Sequence, residues 1–325
     1  MPSSTAALEL FAANLTSLAL AFLLDRFVGD PPSRFHPVVW MGWVIGRVKR
    51  ANRGSPLQRR VLGVLCALAV IALFSLPVYF ALQVAYGVSP LLYVLVACVT
   101  FKFTFAFRSM ADYTKPIAER LLQGDLEGAR AFIPYIARRD PSKLDEELIT
   151  STAVESIAES TVDGAASPLF YFALLGVPGA VAYRVVNTLD SMVGYKRPDI
   201  RDFGWFSAKL DTILNYVPAR LTALLIAASA KLLRLNSSQS LRIALRDHSK
   251  TESLNAGWPM SAMAGALGVK LVKLGFYELG DPIDKLKPIH IIKALEVMAV
   301  TVALFTVICL PIILLRCMLL APWVM

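Results

Sequence analysis

Residues 61–87, "VLGVLCALAVIALFSLPVYFALQVAYG", run without a single charged side chain. A hydrocarbon layer roughly 30 Å thick is crossed by about 20 helical residues. The run is therefore long enough to span a bilayer. A second stretch, "ALEVMAVTVALFTVICLPIILL" (294–315), is interrupted only by Glu296 near its start. "LFAANLTSLALAFLL" (10–24) and "PLLYVLVACVTFKFTFAF" (90–107) are shorter or hold one lysine, and read as further spans. Backbone groups in lipid must be satisfied within the segment, so such spans are helices or a closed barrel. These segments are far longer than barrel strands. The sequence predicts an all-α, polytopic membrane protein with about 4–6 transmembrane helices.

Charge gives the orientation. Only 18% of the 325 residues are charged, against about 25% in soluble domains. The net charge is +9, and six basic residues with no acid gather in "RVKRANRGSPLQRR" (47–60), between two spans. By the positive-inside rule this loop is cytoplasmic and the N-terminus lies outside. A short basic loop held between membrane spans is a topology signal, and nucleic-acid binding is not expected. The first apolar segment lacks the basic n-region and small-residue cleavage site of a signal peptide, and is expected to stay in place. Cys66, Cys98, Cys309 and Cys317 lie in apolar segments without metal-ligand spacing, which points to small buried hydrophobes.

One membrane domain is expected over 1–325, with residues 108–165 as a polar, cytoplasmic helical segment. Within it Pro116 suits a first helical turn, Asp125 a helix cap, and Asp140-Pro141 a turn. "SPLFYFALLGVPGAVAYRVV" (167–186) is apolar but interrupted by Gly176, Pro178 and Gly179, and "VPARLTALLIAASAKLLRL" (217–235) carries Arg220 and Lys231. If both span, residues 187–216 lie outside; if neither fully spans, 167–293 is a membrane-embedded cytoplasmic unit of broken or re-entrant helices, which are tolerated at membrane depth where protein or a cavity surrounds them. The polar motifs on both sides of each segment favour the embedded unit.

Polar residues near these segments are the candidate site. Glu155, Glu159 and Asp163 are spaced by four, so a helix would stack them in one column. A solvated acidic face has this pattern. So does a column that chelates Mg²⁺, which takes carboxylates together with waters and substrate phosphates. Asn187 and Asp190 share a face beside Arg184, followed by Lys196. Lys209, Asp211, Asn215 and Arg220 form a second column. Such pairs can tie helices together, yet ionisable groups at membrane depth are functional by default. "LDRFVGDPPSRFHPVVWMGWVIGR" (24–47) places Asp25, Asp30 and His36 in a proline-stiffened, extended strap. "LRDHSKTESLNAGWPMSAMAGALGVKL" (245–271) places Asp247, His248 and Asn255 ahead of a small-residue helix. His36 and His248 are candidate bases. No Walker loop, G-x-G-x-x-G, nucleophile elbow or Cys/His metal pattern is present.

With these blocks, in this order, the chain resembles the CbiB/CobD family of adenosylcobinamide-phosphate synthases, membrane proteins of cobalamin biosynthesis. The carrying residues are "LDRFVGDP…HPVVWMG", "ESIAESTVDGAASPLFYFALLGVPGAVAYRVVNTLDSMVGYK", "FGWFSAKLDTILNYVPARLTAL" and "LNAGWPMSAMAGALGVKL". The resemblance implies an inner-membrane carbon–nitrogen ligase with its active site on the cytoplasmic side. It would join the free carboxylate of adenosylcobyric acid, a corrinoid, to aminopropanol or aminopropanol O-phosphate, with ATP as co-substrate and Mg²⁺. Activation would pass through a mixed acyl anhydride attacked by the neutral amine. Glu155, Glu159, Asp163, Asp190 and Asp211 would then hold metal and nucleotide. Arg184, Lys196, Lys209 and Arg220, with Asn187, Asn215, Asp247 and Asn255, would bind substrate and phosphates. His36 or His248 would take the proton. The lipid bilayer and other cobalamin-assembly enzymes are the expected partners. Ser160 stands where relatives carry Asn, and Leu254 where they carry Pro. Two other readings share the polar pattern: an intramembrane metal-dependent diphosphate transferase, and a non-enzymatic signalling relative.

Overall fold

The structure, a computed structural model, describes residues 4–195 and 197–324. It is an all-α polytopic membrane protein. Fourteen α-helices follow in order among the described residues: α1 (Ser4–Phe27), α2 (Pro37–Val48), α3 (Pro56–Val88), α4 (Pro90–Lys102), α5 (Phe107–Leu122), α6 (Leu126–Arg130), α7 (Ile133–Ile136), α8 (Glu146–Thr161), α9 (Ser167–Val193), α10 (Arg201–Leu214), α11 (Tyr216–Leu232), α12 (Ser237–Asp247), α13 (Gly257–Leu267) and α14 (Ile289–Val324). Five stretches are long and apolar enough to cross a membrane, and a bent pair, α10 with α11, makes a sixth if counted as one span.

Helix starts follow the sequence closely. Ser55 caps α3 with a capping box, its hydroxyl accepting from Gln58 N–H while Gln58 accepts from Ser55 N–H. Pro56 stands at the first position, where its missing N–H costs nothing. Ser89 and Pro90 repeat the device, so α3 and α4 are joined by one residue. Asp125 caps α6 through Gly128 N–H at 2.8 Å, and Asp140 caps the turn at 141–143.

The chain divides into two compact units. One takes its residues from the segments up to Phe105, Ser167–Leu214 and Ile308 onward. In it α1 lies on α4, and α3 lies on α9 and α10. A Cβ at Gly63 would sit 2.0 Å from the Phe203 carbonyl oxygen, so only glycine allows α3 and α10 to come this close. The second unit comprises Ala106–Ala166 and Asn215–Val307. Here α13, buried at every position except Trp258, packs against α8, α11 and α12. Ser229 and Thr301 share a hydroxyl hydrogen bond of 2.9 Å between α11 and α14.

Several expectations are corrected. Pro116 lies in the interior of α5 rather than in a first turn. The strap at 24–47 is extended only briefly. From Pro37 it is helical, because His36 caps α2 and a proline at the first position is already shaped for a helix. Residues 146–161, expected within a polar segment, form α8, whose face from Ile149 to Ala158 is buried. A two-stranded antiparallel hairpin, β1 (Leu271–Lys273) with β2 (Tyr277–Leu279), interrupts the otherwise helical chain.

The breaks have identifiable causes. In α9, Gly176 adopts φ 71°, ψ −165°, and Pro178 cannot donate to the preceding turn. The loosened carbonyls of Phe172 and Ala173 accept from the Arg316 guanidinium, which also donates to Asn14 at 2.7 Å. Between α10 and α11 the axis bends by 41°. Pro218 has no N–H for the Leu214 carbonyl, which accepts instead from the Tyr171 hydroxyl at 2.9 Å.

Candidate functional site

The acidic column does not survive as a column. α8 gives way at Val162–Ala166 to a π-helical turn, whose extra residue rotates Asp163 off the face of Glu155 and Glu159. Glu155 is buried, Glu159 exposed and Asp163 half-buried. Glu155 accepts from the Arg139 guanidinium at 2.6 Å, the Tyr277 hydroxyl at 2.7 Å and the Ser151 hydroxyl at 2.8 Å. A carboxylate has about four acceptor positions, so three protein donors leave little room for a cation. The Ser151 hydroxyl also accepts from Val272 N–H at 2.7 Å, which docks the hairpin on α8. Burial, followed by the Glu155 charge, pushes the Tyr277 phenol well above its ordinary range. Glu155 thus anchors Arg139 and the hairpin. Among the described residues no three His, Cys, Asp or Glu side chains are grouped to hold a metal ion.

A second knot lies in the first unit. Lys102, almost fully buried at the end of α4, pairs with Asp25 at 3.2 Å and with Asp30. Burial alone would raise the Asp30 carboxyl. Hydrogen bonds from His36 and Lys102 outweigh it and hold the group far below the carboxylate range. His36 is the capping residue of α2: its Nδ1 accepts from Val38 N–H at 3.2 Å, which leaves the proton on Nε2, 3.6 Å from Asp30. Its lone pair is therefore engaged in the cap.

The polar residues of α9 and α10 are placed by the same unit. Asn187 donates to Asp211 at 3.4 Å and ties the two helices together. Arg184 and Asp190 are half-buried on α9, and Lys209 is exposed on α10. Lys196 lies outside the described residues. The column drawn through Lys209, Asp211, Asn215 and Arg220 is cut at Asn215, where α11 begins, for the reason Pro218 supplies.

The second unit gathers four groups that the sequence spreads over 215–258. The guanidinium of Arg220 lies 3.4 Å from the Tyr216 ring centroid and 5.2 Å from that of Trp258. It donates to Asn255 Oδ1 at 3.2 Å and to the Tyr216 carbonyl at 2.7 Å. No carboxylate pairs with it among the described residues. The His248 imidazole stacks on Trp258 at 4.0 Å between centroids. Its Nδ1 faces the carbonyls of Ala244 and Leu245 at 3.0 and 3.2 Å, so it must carry the proton, and Nε2 keeps the lone pair. Trp258 Nε1 is buried without a hydrogen-bond acceptor among the described residues. Asn255 is positioned by a turn in which the Ser253 hydroxyl accepts from the N–H groups of Asn255 and Ala256. The result is a half-open aromatic wall carrying a guanidinium and an imidazole.

Asp247 is adjacent in sequence but different in task. Fully buried, it accepts from Arg246 through both oxygens at 2.8 Å, from Lys250 at 2.7 Å and from Gly280 N–H at 2.8 Å. Its oxygens are taken, and it pins the hairpin exit to α12. Burial pushes its carboxyl up, but the hydrogen bonds from Arg246, Lys250 and the Gly280 amide dominate and hold it well below the usual range.

Tyr277, Arg139, Ser151 and Trp258 were not singled out by sequence reasoning. Trp258 carried a signal, since it lies inside the "NAGWP" block beside Asn255. Arg139 and Tyr277 are joined to Glu155 across loops, with no local pattern to announce them, whereas Ser151 stands one turn before it on α8.

A family model described as CobD/Cbib protein matches residues 18–309. The cobalamin biosynthesis protein CobD of Dehalococcoides mccartyi is 43% identical over 270 residues, covering 83% of this chain and 87% of its own. The probable cobalamin biosynthesis protein CobD of Methanothermobacter thermautotrophicus is 40% identical over 294 residues, covering 90% and 96%. No solved structure matches. A match over nearly the whole chain, with relatives of this identity and coverage, places the protein in the CobD/CbiB family.

Proposed function

We propose that this chain works in cobalamin biosynthesis as a membrane-bound amide synthase. It joins the free carboxylate of adenosylcobyric acid to aminopropanol or its O-phosphate, with ATP and Mg²⁺, on the cytoplasmic side of the inner membrane. The observation that carries the reading is the family match over 18–309, with relatives named for cobalamin biosynthesis. The Arg220–Asn255–Trp258–His248 group supports it, because a cation lacking an anionic partner among the described residues, beside an imidazole with a bare nitrogen, suits an anionic substrate and a departing proton.

Mg²⁺ that arrives on phosphates needs only one or two protein carboxylates. Glu159 and Asp163 fit that number, whereas Glu155, filled by three donors, does not. Bound there, Mg²⁺ and ATP would supply activation of the carboxyl and neutralise phosphate charge. The chain's own groups do the rest. Arg220, held flat against Tyr216 and oriented by Asn255, presents its remaining N–H donors to an anionic group of the substrate. Trp258 offers a flat apolar wall. His248 Nε2 takes the proton that the amine must lose as the C–N bond forms. His36 is excluded from this role by its engagement with Val38 N–H.

The test is incubation of the detergent-purified protein with adenosylcobyric acid, aminopropanol phosphate, ATP and Mg²⁺, with mass detection of the amide. Unchanged cobyric acid, beside an active family member run in parallel, would count against the reading. Thermal stabilisation by a polyprenyl diphosphate but not by cobyric acid would favour a diphosphate transferase instead. Glu159→Ala should abolish turnover and shift stability by less than about 0.5 kcal/mol, as expected of an exposed position.

A further inference from the structure

A cleft of about 820 Å³ opens in the second unit where α11 ends and α12 begins. Lys231 and Arg234 line it, along with Asn236 and the first turn of α12. Its other wall is apolar, with Leu241, Leu267 and Ile283, of which Ile283 is 61% exposed. Neither Lys231 nor Arg234 has an acidic hydrogen-bond or ion-pair partner among the described residues, although Asp284 stands on the rim.

Arg234 is set there by an unusual backbone. α11 closes with a Schellman motif, in which Leu235 N–H reaches the Ala230 carbonyl at 2.7 Å and Arg234 N–H the Lys231 carbonyl at 3.2 Å. The motif needs a left-handed residue, and Arg234 takes it at φ 57°, the only non-glycine with positive φ among the described residues. Glycine fits this position without steric cost, as Gly268 does at the end of α13. A basic residue in the last turn also complements the helix dipole, but Lys231 meets that need already. Retaining an arginine in a strained position is explained by what its head group faces.

The surroundings narrow the ligand. α11 belongs to a pair of helices that together can cross a membrane, so its end lies where lipid head groups lie. Cations at that level above an apolar wall complement a phosphate joined to acyl chains. We infer that this cleft holds the phosphate of an anionic phospholipid on Lys231 and Arg234, with an acyl chain along Leu241 and Ile283.

The full-length protein, delipidated in detergent, is titrated with phosphatidylglycerol or phosphatidylcholine, and bound lipid is counted by native mass spectrometry. Phosphatidylglycerol should be retained in preference to phosphatidylcholine. Each basic group near an anionic surface contributes a factor of about five in affinity, so Lys231→Gln with Arg234→Gly should weaken retention roughly twenty- to thirtyfold. Arg234→Gly alone should weaken it about fivefold while keeping or raising the melting temperature, because glycine relieves the left-handed strain. Equal retention of the two lipids by the unaltered protein would overturn the inference. So would phosphatidylglycerol binding that the double variant leaves unchanged. Displacement of phosphatidylglycerol by inorganic phosphate at equal concentration would also overturn it, by assigning the cleft to a free anion.

Discussion

Lys102 in the first unit and Arg220 in the second are both cations set among apolar helices, and their surroundings treat them in opposite ways. Lys102 is buried against Asp25 and Asp30, with His36 behind them, so its charge is answered within the fold. Arg220 has two aromatic faces, a neutral amide and a carbonyl, and no carboxylate among the described residues. A charge with its counter-charge built in holds helices together. One without it is poised for an anion from outside. The carboxylates Glu155 and Glu159 differ in setting: one is buried and accepts from three donors, the other stands exposed four residues on.

The contrast is broken most directly by removing the saturated cation. Lys102→Met should cost about 3–5 kcal/mol, because the buried Asp25 carboxylate loses this cation and Asp30 loses one of its two partners. Thermal unfolding in detergent would show it, and adding Asp25→Asn should recover part of the loss. A melting curve like that of the unaltered protein would mean that Lys102 is not structural. Next comes the open cluster. His248→Gln should lower turnover roughly 10²- to 10⁴-fold, the range for a lost general base, with little change in melting. If unfolding moved and turnover did not, the base assignment would fail. A smaller effect is expected at the α10–α11 bend. Tyr171→Phe leaves the Leu214 carbonyl without its donor, for a loss of about 1–3 kcal/mol. An unchanged unfolding curve would show that the bend does not depend on this hydroxyl.

The smallest effect is the acid limb of stability. Asp247 is depressed in the folded state, so its contribution is complete at neutral pH. It begins to fade as pH falls below about 4, where an unfolded aspartate takes up its proton, and continues to fade toward the lower folded value. Asp247→Asn should flatten that limb. A limb equally steep in the variant would place the titration elsewhere, with Asp30 the next group to test.

Much of the fold was legible. Uncharged runs marked the spans, Asp125 marked a helix start, and Gly176 with Pro178 marked the break in α9. What stayed hidden was set by single backbone events and by distance along the chain. A π turn adds one residue to a helical register and moves Asp163 off its column, which spacing by four cannot foresee. Pro218 cuts a column that counts correctly on paper. The hairpin strands have three residues each, too few for periodicity to register, although Gly275 at φ 75° between "LVK" and "YEL" was a turn signal. Glu155 meets Tyr277 across 122 positions, and only packing can bring them together.

Arg316 has a bearing on how the protein is made. Its guanidinium serves the loosened carbonyls at the Gly176 break and reaches Asn14 on the first helix, so three helices converge on a residue close to the end of the chain. On the ribosome, residues 167–193 are synthesised well before that donor exists. Until Arg316 emerges, the interrupted helix must draw on water or lipid head groups for those bonds. Assembly of the first unit is therefore completed only once α14 has been translated as far as Arg316.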